Sequence, residues 1–179
     1  SWISGGLVVS AIATGCGGSA STGSVSVLLE AEDTIAEGLA PGDGDESIVD
    51  GWTVRFDQYV IAIGHVEIAG GGSELHDAGE TVIDLAQLPS GSVELARFEN
   101  VAAGAWPEVF YETPAASASS VRDASVPQAD FDLMVANGCS YLLRGAITSP
   151  EGQRCVGGDS TRCAPATEIA FDLCVPAPT

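Results

Sequence analysis

The stretch WTVRFDQYVIAIGHVEI, Trp52 to Ile68, is the longest β-forming run in the chain, and the reading of the fold starts there. Its even positions Trp52, Val54, Phe56, Val60, Ala62, Val66 and Ile68 form one apolar face, and a period of two is the signature of a strand. Tyr59, Ile61 and Ile63 occupy the other face, so the middle is covered on both sides or the strand bends near Gly64. Gly70-Gly71-Gly72-Ser73 then reads as a turn. Upstream, Val25, Val27 and Leu29 alternate with polar or outward residues, and EAEDTIAEG (30–38) suits a short acidic helical turn ended by Gly38. Ala40 to Asp50 is a Pro/Gly/Asp-rich loop. Downstream, strands are expected at Thr81–Ala86, Ser92–Phe98, Glu108–Glu112, Phe131–Val135, Ser140–Thr148 and Glu168–Val175. Pro114 to Gln128 reads as a surface excursion. With no repeat and no heptad, the expected fold is all-β: a single Greek-key β-sandwich of about eight strands.

Composition narrows the function classes. The 179 residues carry 25 Asp and Glu against six Arg and no Lys, a formal charge of −19. Such a surface has no electrostatic route to nucleic acid or anionic lipid. It keeps the molecule dispersed, so a monomer is expected. A hydrophobic fraction of 45% and a mean hydropathy of +0.24 exclude global disorder.

The first fifteen residues, SWISGGLVVSAIATG, are uncharged, and the apolar run Leu7 to Ile12 falls far short of the roughly 20 residues of a spanning helix. A short apolar segment closing on small residues is a secretory leader. Ala13-Thr14-Gly15-Cys16 resembles the lipobox of bacterial lipoproteins, in which the cysteine is acylated and becomes the mature N-terminus. The family prefers Leu where Ala13 stands, and the absent Met and basic start read as a truncated beginning. That resemblance implies a signal peptide over 1–15, lipidation at Cys16, a flexible tether over 16–23 and a β-sandwich domain over 24–179. It places the protein in the cell envelope, anchored at the outer membrane through lipid alone, since Gly17 is what such proteins commonly carry after the cysteine.

Four further cysteines, Cys139, Cys155, Cys163 and Cys174, fall in the last quarter of the chain. In an exported protein they read as two disulfides with three possible connectivities. Zinc is the competing idea, but no CxxC pair exists and the intervening spacings are 15, 7 and 10 residues. Cys155–Cys163 with Cys139–Cys174 is the preferred pairing. Parity speaks against it: with Tyr141, Leu143 and Ile147 inward on one strand and Ile169, Phe171, Leu173 and Val175 inward on its partner, Cys139 and Cys174 fall on opposite faces. Asn137-Gly138 is a turn signal that would reset that parity.

The order DGWTVRFDQYVIAIGHVEI, DLAQLPSGSVELARFENVAAGAWPEVFYE, GCSYLLRGAIT and FDLCV resembles uncharacterised secreted bacterial lipoproteins and, more loosely, prealbumin-like and immunoglobulin-like modules. The resemblance covers roughly residues 51–175. It implies a fold and a location, and no reaction.

Chemistry-bearing patterns are sparse. His65, Glu67 and His76 could meet across the Gly70–Ser73 turn and hold zinc or copper, against the plainer reading of solvated polar residues. Asp43, Asp45 and Asp50 on a Gly-rich loop offer oxygen ligands for calcium, yet Ile48 and Val54 stand where an EF-hand needs Gly and Glu. Gly157-Gly158-Asp159-Ser160 lacks the context of a hydrolase serine, and carboxylate pairs are abundant only because acids are. Trp52, Tyr59, Trp106, Phe110 and Tyr111 would suit a carbohydrate platform or a sandwich core. The expected function is a non-catalytic binding or structural module with no cofactor and an envelope protein or glycan as partner. A divalent-metal protein is the alternative.

Overall fold

The run around Val60 becomes the spine of two packed sheets. A computed structural model describes residues 8–13, 22–44, 47–48, 51–88, 91–155 and 161–177. Its elements, in order, are β1 (Val8–Ala13), β2 (Thr22–Glu30), α1 (Asp33–Ala36), β3 (Thr53–Gly70), β4 (Ser73–Asp84), a 3-10 turn (Leu85–Gln87), β5 (Ser92–Ala102), β6 (Glu108–Glu112), β7 (Val121–Arg122), α2 (Gln128–Asn137), β8 (Cys139–Thr148), β9 (Gln153–Cys155), β10 (Cys163–Pro165) and β11 (Glu168–Pro176). The larger sheet runs β11-β8-β3-β4-β7, with β6 also on β3, and the smaller runs β1-β2-β5. β9 and β10 form a separate ribbon. The architecture is an all-β, sandwich-like fold. Among the described residues no helix is long and apolar enough to cross a membrane.

β3 is long enough to have neighbours at both ends. Its Thr53–Ile61 portion pairs with β8, its Gly64–Ala69 portion pairs with β6, and β4 follows the opposite edge from Val60 to Gly70. Between the two portions the ladder slips at Gly64/Val66, and His65 there has a left-handed φ of 51°. Against β4 the extra residue lies on β4, where Ala78 and Gly79 stand against His65, and against β6 it lies on β3; across this irregularity the parity of β3 reverses. Ile61 and Ile63 before the bulge pack with Leu29, Ile83 and Leu85, whereas Val66 and Ile68 after it pack with Val25, Val27, Ala96 and Phe98. The middle of β3 is therefore covered on both sides. A Cβ on Gly64 would lie 2.1 Å from the Gly79 carbonyl oxygen, so only glycine admits this approach.

A third cluster lies on the opposite face: Val60, Ala62, Val82, Val126, Met134, Cys139 and Leu142. Its cover is α2, and here two expectations are corrected. Phe131–Val135 is helix rather than strand, because Pro127 opens the segment and Gly138, at φ 65°, closes it in the left-handed C-terminal conformation. Pro114 to Gln128 is no mere surface excursion either, since Ala116, Ser120 and Val126 are buried and β7 joins β4 in parallel. Eleven strands are present among the described residues, against about eight expected. β1, β7, β9 and β10 are the additions: β7, β9 and β10 are two or three residues long, too short to show alternation, and β1 falls within the segment read as a leader.

Both faces of β8 are covered, Leu142 by the cluster under α2 and Tyr141 by the inter-sheet cluster around Leu29. Leu142 and Ala146 are buried, Tyr141, Leu143 and Ile147 are half-buried, and on β11 Leu173 is 50% exposed. Cys174 sits opposite Leu142 and packs into the same cluster. The disulfides are Cys139–Cys174 and Cys155–Cys163, with Cα separations of 5.7 and 4.0 Å. The register slip between Val175 and Pro176 removes the parity objection to the first.

Val8–Ala13, within the segment read as a leader, lies antiparallel along β2 at the edge of the smaller sheet. β2 begins at Thr22, two residues inside the segment read as tether. Cys16 lies outside the described residues.

Candidate functional site

The bulge decides which side chains meet. It pushes the His65 ring out of the sheet, where its two neighbours in the ladder are Glu80 on β4 and Glu112 on β6, both paired with Gly64. Nε2 of His65 lies 3.0 Å from Glu80 and Nδ1 lies 2.9 Å from Glu112. Only the doubly protonated ring donates to both. Glu80 also accepts hydrogen bonds from Ser120 and Ser117. The Ser120 bond is the strongest influence on its carboxyl, which is held below the usual range despite partial burial, with His65 and Ser117 adding to the effect. This cluster ties three strands to the 117–120 turn.

Glu67 and His76 stand directly opposite each other on β3 and β4, and Glu74 opposes Ala69, one step along the same face. His76 Nδ1 is 3.3 Å from a Glu67 carboxylate oxygen. Among the described residues, Glu67, Glu74 and His76 form the one group of three metal-type donors whose ligand atoms all lie within 4.8 Å of one another. The two histidines thus serve different carboxylates. The sequence pointed to Glu67 and His76 and missed Glu74, whose place follows only from the β3–β4 register.

A second polar cluster lies where α2 meets the sheet. Arg144 donates to Asp130 and to Gln58, each at 2.6 Å, while Gln58 donates to Asp130 at 2.9 Å and Arg144 Nε reaches Asp172 at 3.1 Å. For Asp130, burial is the largest single influence and opposes ionisation. The hydrogen bonds from Gln58 and Arg144 and the arginine charge together outweigh it and hold the carboxyl below its usual range. Nearby Asp84 accepts from the Tyr59 and Ala86 amides through Oδ1, while Oδ2 is buried without a partner. Desolvation pushes its carboxyl up.

The remaining candidates are dispersed. Trp52 lines an open groove of about 620 Å³ with Gly51 and residues 149–153, and Trp106 packs against the inter-sheet cluster. Tyr59 joins an edge-to-face set with Phe56 and Tyr141, and Phe110 and Tyr111 are exposed on β6. These aromatics build no common platform. Asp43 lies in the loop after α1, and Asp45, Asp50 and Ser160 lie outside the described residues. Compared with known proteins, the chain matches no family model, no curated protein and no solved structure.

Proposed function

We propose that the chain is an exported, lipid-anchored β-sandwich that serves as a non-catalytic binding or structural module of the cell envelope. The observation that carries this reading is the pair of disulfides, Cys139–Cys174 and Cys155–Cys163. Such bonds persist in oxidising compartments and are rare where thiols are kept reduced. They use four of five cysteines, and the fifth, Cys16, stands at the end of an uncharged leader-like segment, where acylation consumes its thiol. Several acyl chains on one cysteine anchor firmly, whereas a single chain holds only marginally. Cleavage before Cys16 would take β1 off the edge of β2 and leave a body made of β2–β11. At −19 that body is repelled by an anionic membrane surface, which suits a partner in the envelope space rather than the bilayer.

Intact-mass and peptide analysis of the protein expressed with its native export segment in a bacterial host tests this. The expected product begins at Cys16, carries diacylglyceryl mass and partitions with the membrane. An intact N-terminus with unmodified Cys16 overturns it.

A further inference from the structure

We propose that the outer face of the β3–β4 hairpin is a binding site for a borderline divalent transition metal of the zinc class, ligated by Glu67, Glu74 and His76. The site needs no contribution from the anchor. Three observations carry it.

The first is distance. Around a tetrahedral zinc with bonds of about 2.0–2.1 Å, neighbouring donors stand about 3.3 Å apart. His76 Nδ1 and Glu67 already stand 3.3 Å apart, and the third donor lies within 4.8 Å on the exposed Glu74 side chain, which closes by rotation. His65 has no such arrangement, because its two carboxylates sit on opposite ring nitrogens.

The second is rigidity. Glu67 and His76 are cross-strand partners, and the next pair, Ile68 and Leu75, turns inward, with Ile68 fully buried. The turn between them is Gly71-Gly72, both at positive φ, as a two-residue hairpin of right-handed twist requires. Ligands on such strands are held in register by the core beneath them.

The third is charge. Two carboxylates face one imidazole, and among the described residues no arginine ion pair reaches Glu67 or Glu74. A divalent cation removes that repulsion. One nitrogen with two carboxylates favours zinc or copper over calcium, which wants six to eight oxygens. Three protein ligands leave one position open. Phe110, the β6 register partner of Glu67, is exposed on the same face beside it.

Calorimetric titration of the chelator-stripped full chain, with Cys16 alkylated so that no free thiol competes, uses Zn²⁺ and then Ca²⁺ as probes. The expected result is one saturable Zn²⁺ equivalent. His76→Ala and Glu74→Gln should each weaken it at least tenfold, His65→Gln should leave it within twofold, and Ca²⁺ should bind at least tenfold more weakly. Thermal melts of the metal-free variants confirm that each is folded. Absence of saturable Zn²⁺ binding overturns the site. So does binding that survives His76→Ala and Glu74→Gln, or that His65→Gln abolishes, or that Ca²⁺ matches.

Discussion

The two ends of β3 solve the same problem differently. At the Thr53–Ile61 end, the face turned away from the smaller sheet is covered by α2 and locked by Cys139–Cys174, and of its two buried acids Asp130 is answered by Arg144 and Gln58 while Asp84, opposite Val60, is held by the Tyr59 and Ala86 amides. At the Gly64–Gly70 end the equivalent face stays open, and its acids Glu67, Glu80 and Glu112 are answered only by histidine and, for Glu80, by serine. The register irregularity at His65 separates the two regimes. The comparison teaches that a sheet can keep one apolar floor along its whole length while giving its other face two characters, one closed and structural, the other charged and accessible.

The largest expected effect tests the closed end. Replacing Cys139 and Cys174 together by serine frees a span of 35 residues in the unfolded chain and should cost about 4 kcal/mol. The eight-residue span of Cys155 and Cys163 should cost only about 2.5 kcal/mol on the same reasoning. Urea unfolding midpoints of the two double variants rank them, and a reversed order would break the claim that the α2 end is the main lock.

Arg144→Met comes next, at about 2 kcal/mol near neutral pH, because it leaves Asp130 partly buried without its cation. The pH dependence has a definite sign. Asp130 and Glu80 have folded-state pKa values below their unfolded ones, so their stabilisation is present above about pH 4 and is lost as pH falls through the lower folded values. Asp84, pushed up by burial, acts oppositely, and its contribution is lost as pH rises through its folded value. Arg144→Met should therefore flatten the acid limb of the stability profile. An unchanged limb would remove Asp130 from the account.

The smallest effect sits at the bulge. His65→Gly and His65→Ala both remove the exposed ion pairs, but only glycine is at ease at φ 51°. The glycine variant should be the more stable by about 1 kcal/mol in thermal unfolding. Equal stabilities would mean that His65 is unstrained and that the boundary between the two regimes is not a bulge.

What the sequence showed, and what it hid, follows from the same geometry. The β-rich class, the acidic turn at α1, the β3–β4 hairpin and the strands β6 and β11 were legible because period-two alternation and glycine turns are local signals. α2 was hidden by its apolar cluster Phe131, Leu133, Met134 and Val135, which imitates a strand unless Pro127 and Gly138 are read as its two ends. The candidate metal site was half legible. Glu67 and His76 follow from the hairpin, but His65 leaves their face because a bulge breaks the i, i+2 rule, and no sequence pattern announces that bulge. Glu74 was missed for the complementary reason: its place depends on counting register back from a turn whose tightness the sequence does not state.

Two disulfides staple the body, one beside α2 and one across the β9–β10 ribbon. The direct measurement is thiol alkylation followed by peptide mapping on protein purified from its native source without reduction. The account predicts that Cys139, Cys155, Cys163 and Cys174 resist alkylation until reduced and emerge as two linked pairs, Cys139 with Cys174 and Cys155 with Cys163. Four alkylated cysteines before reduction would contradict it.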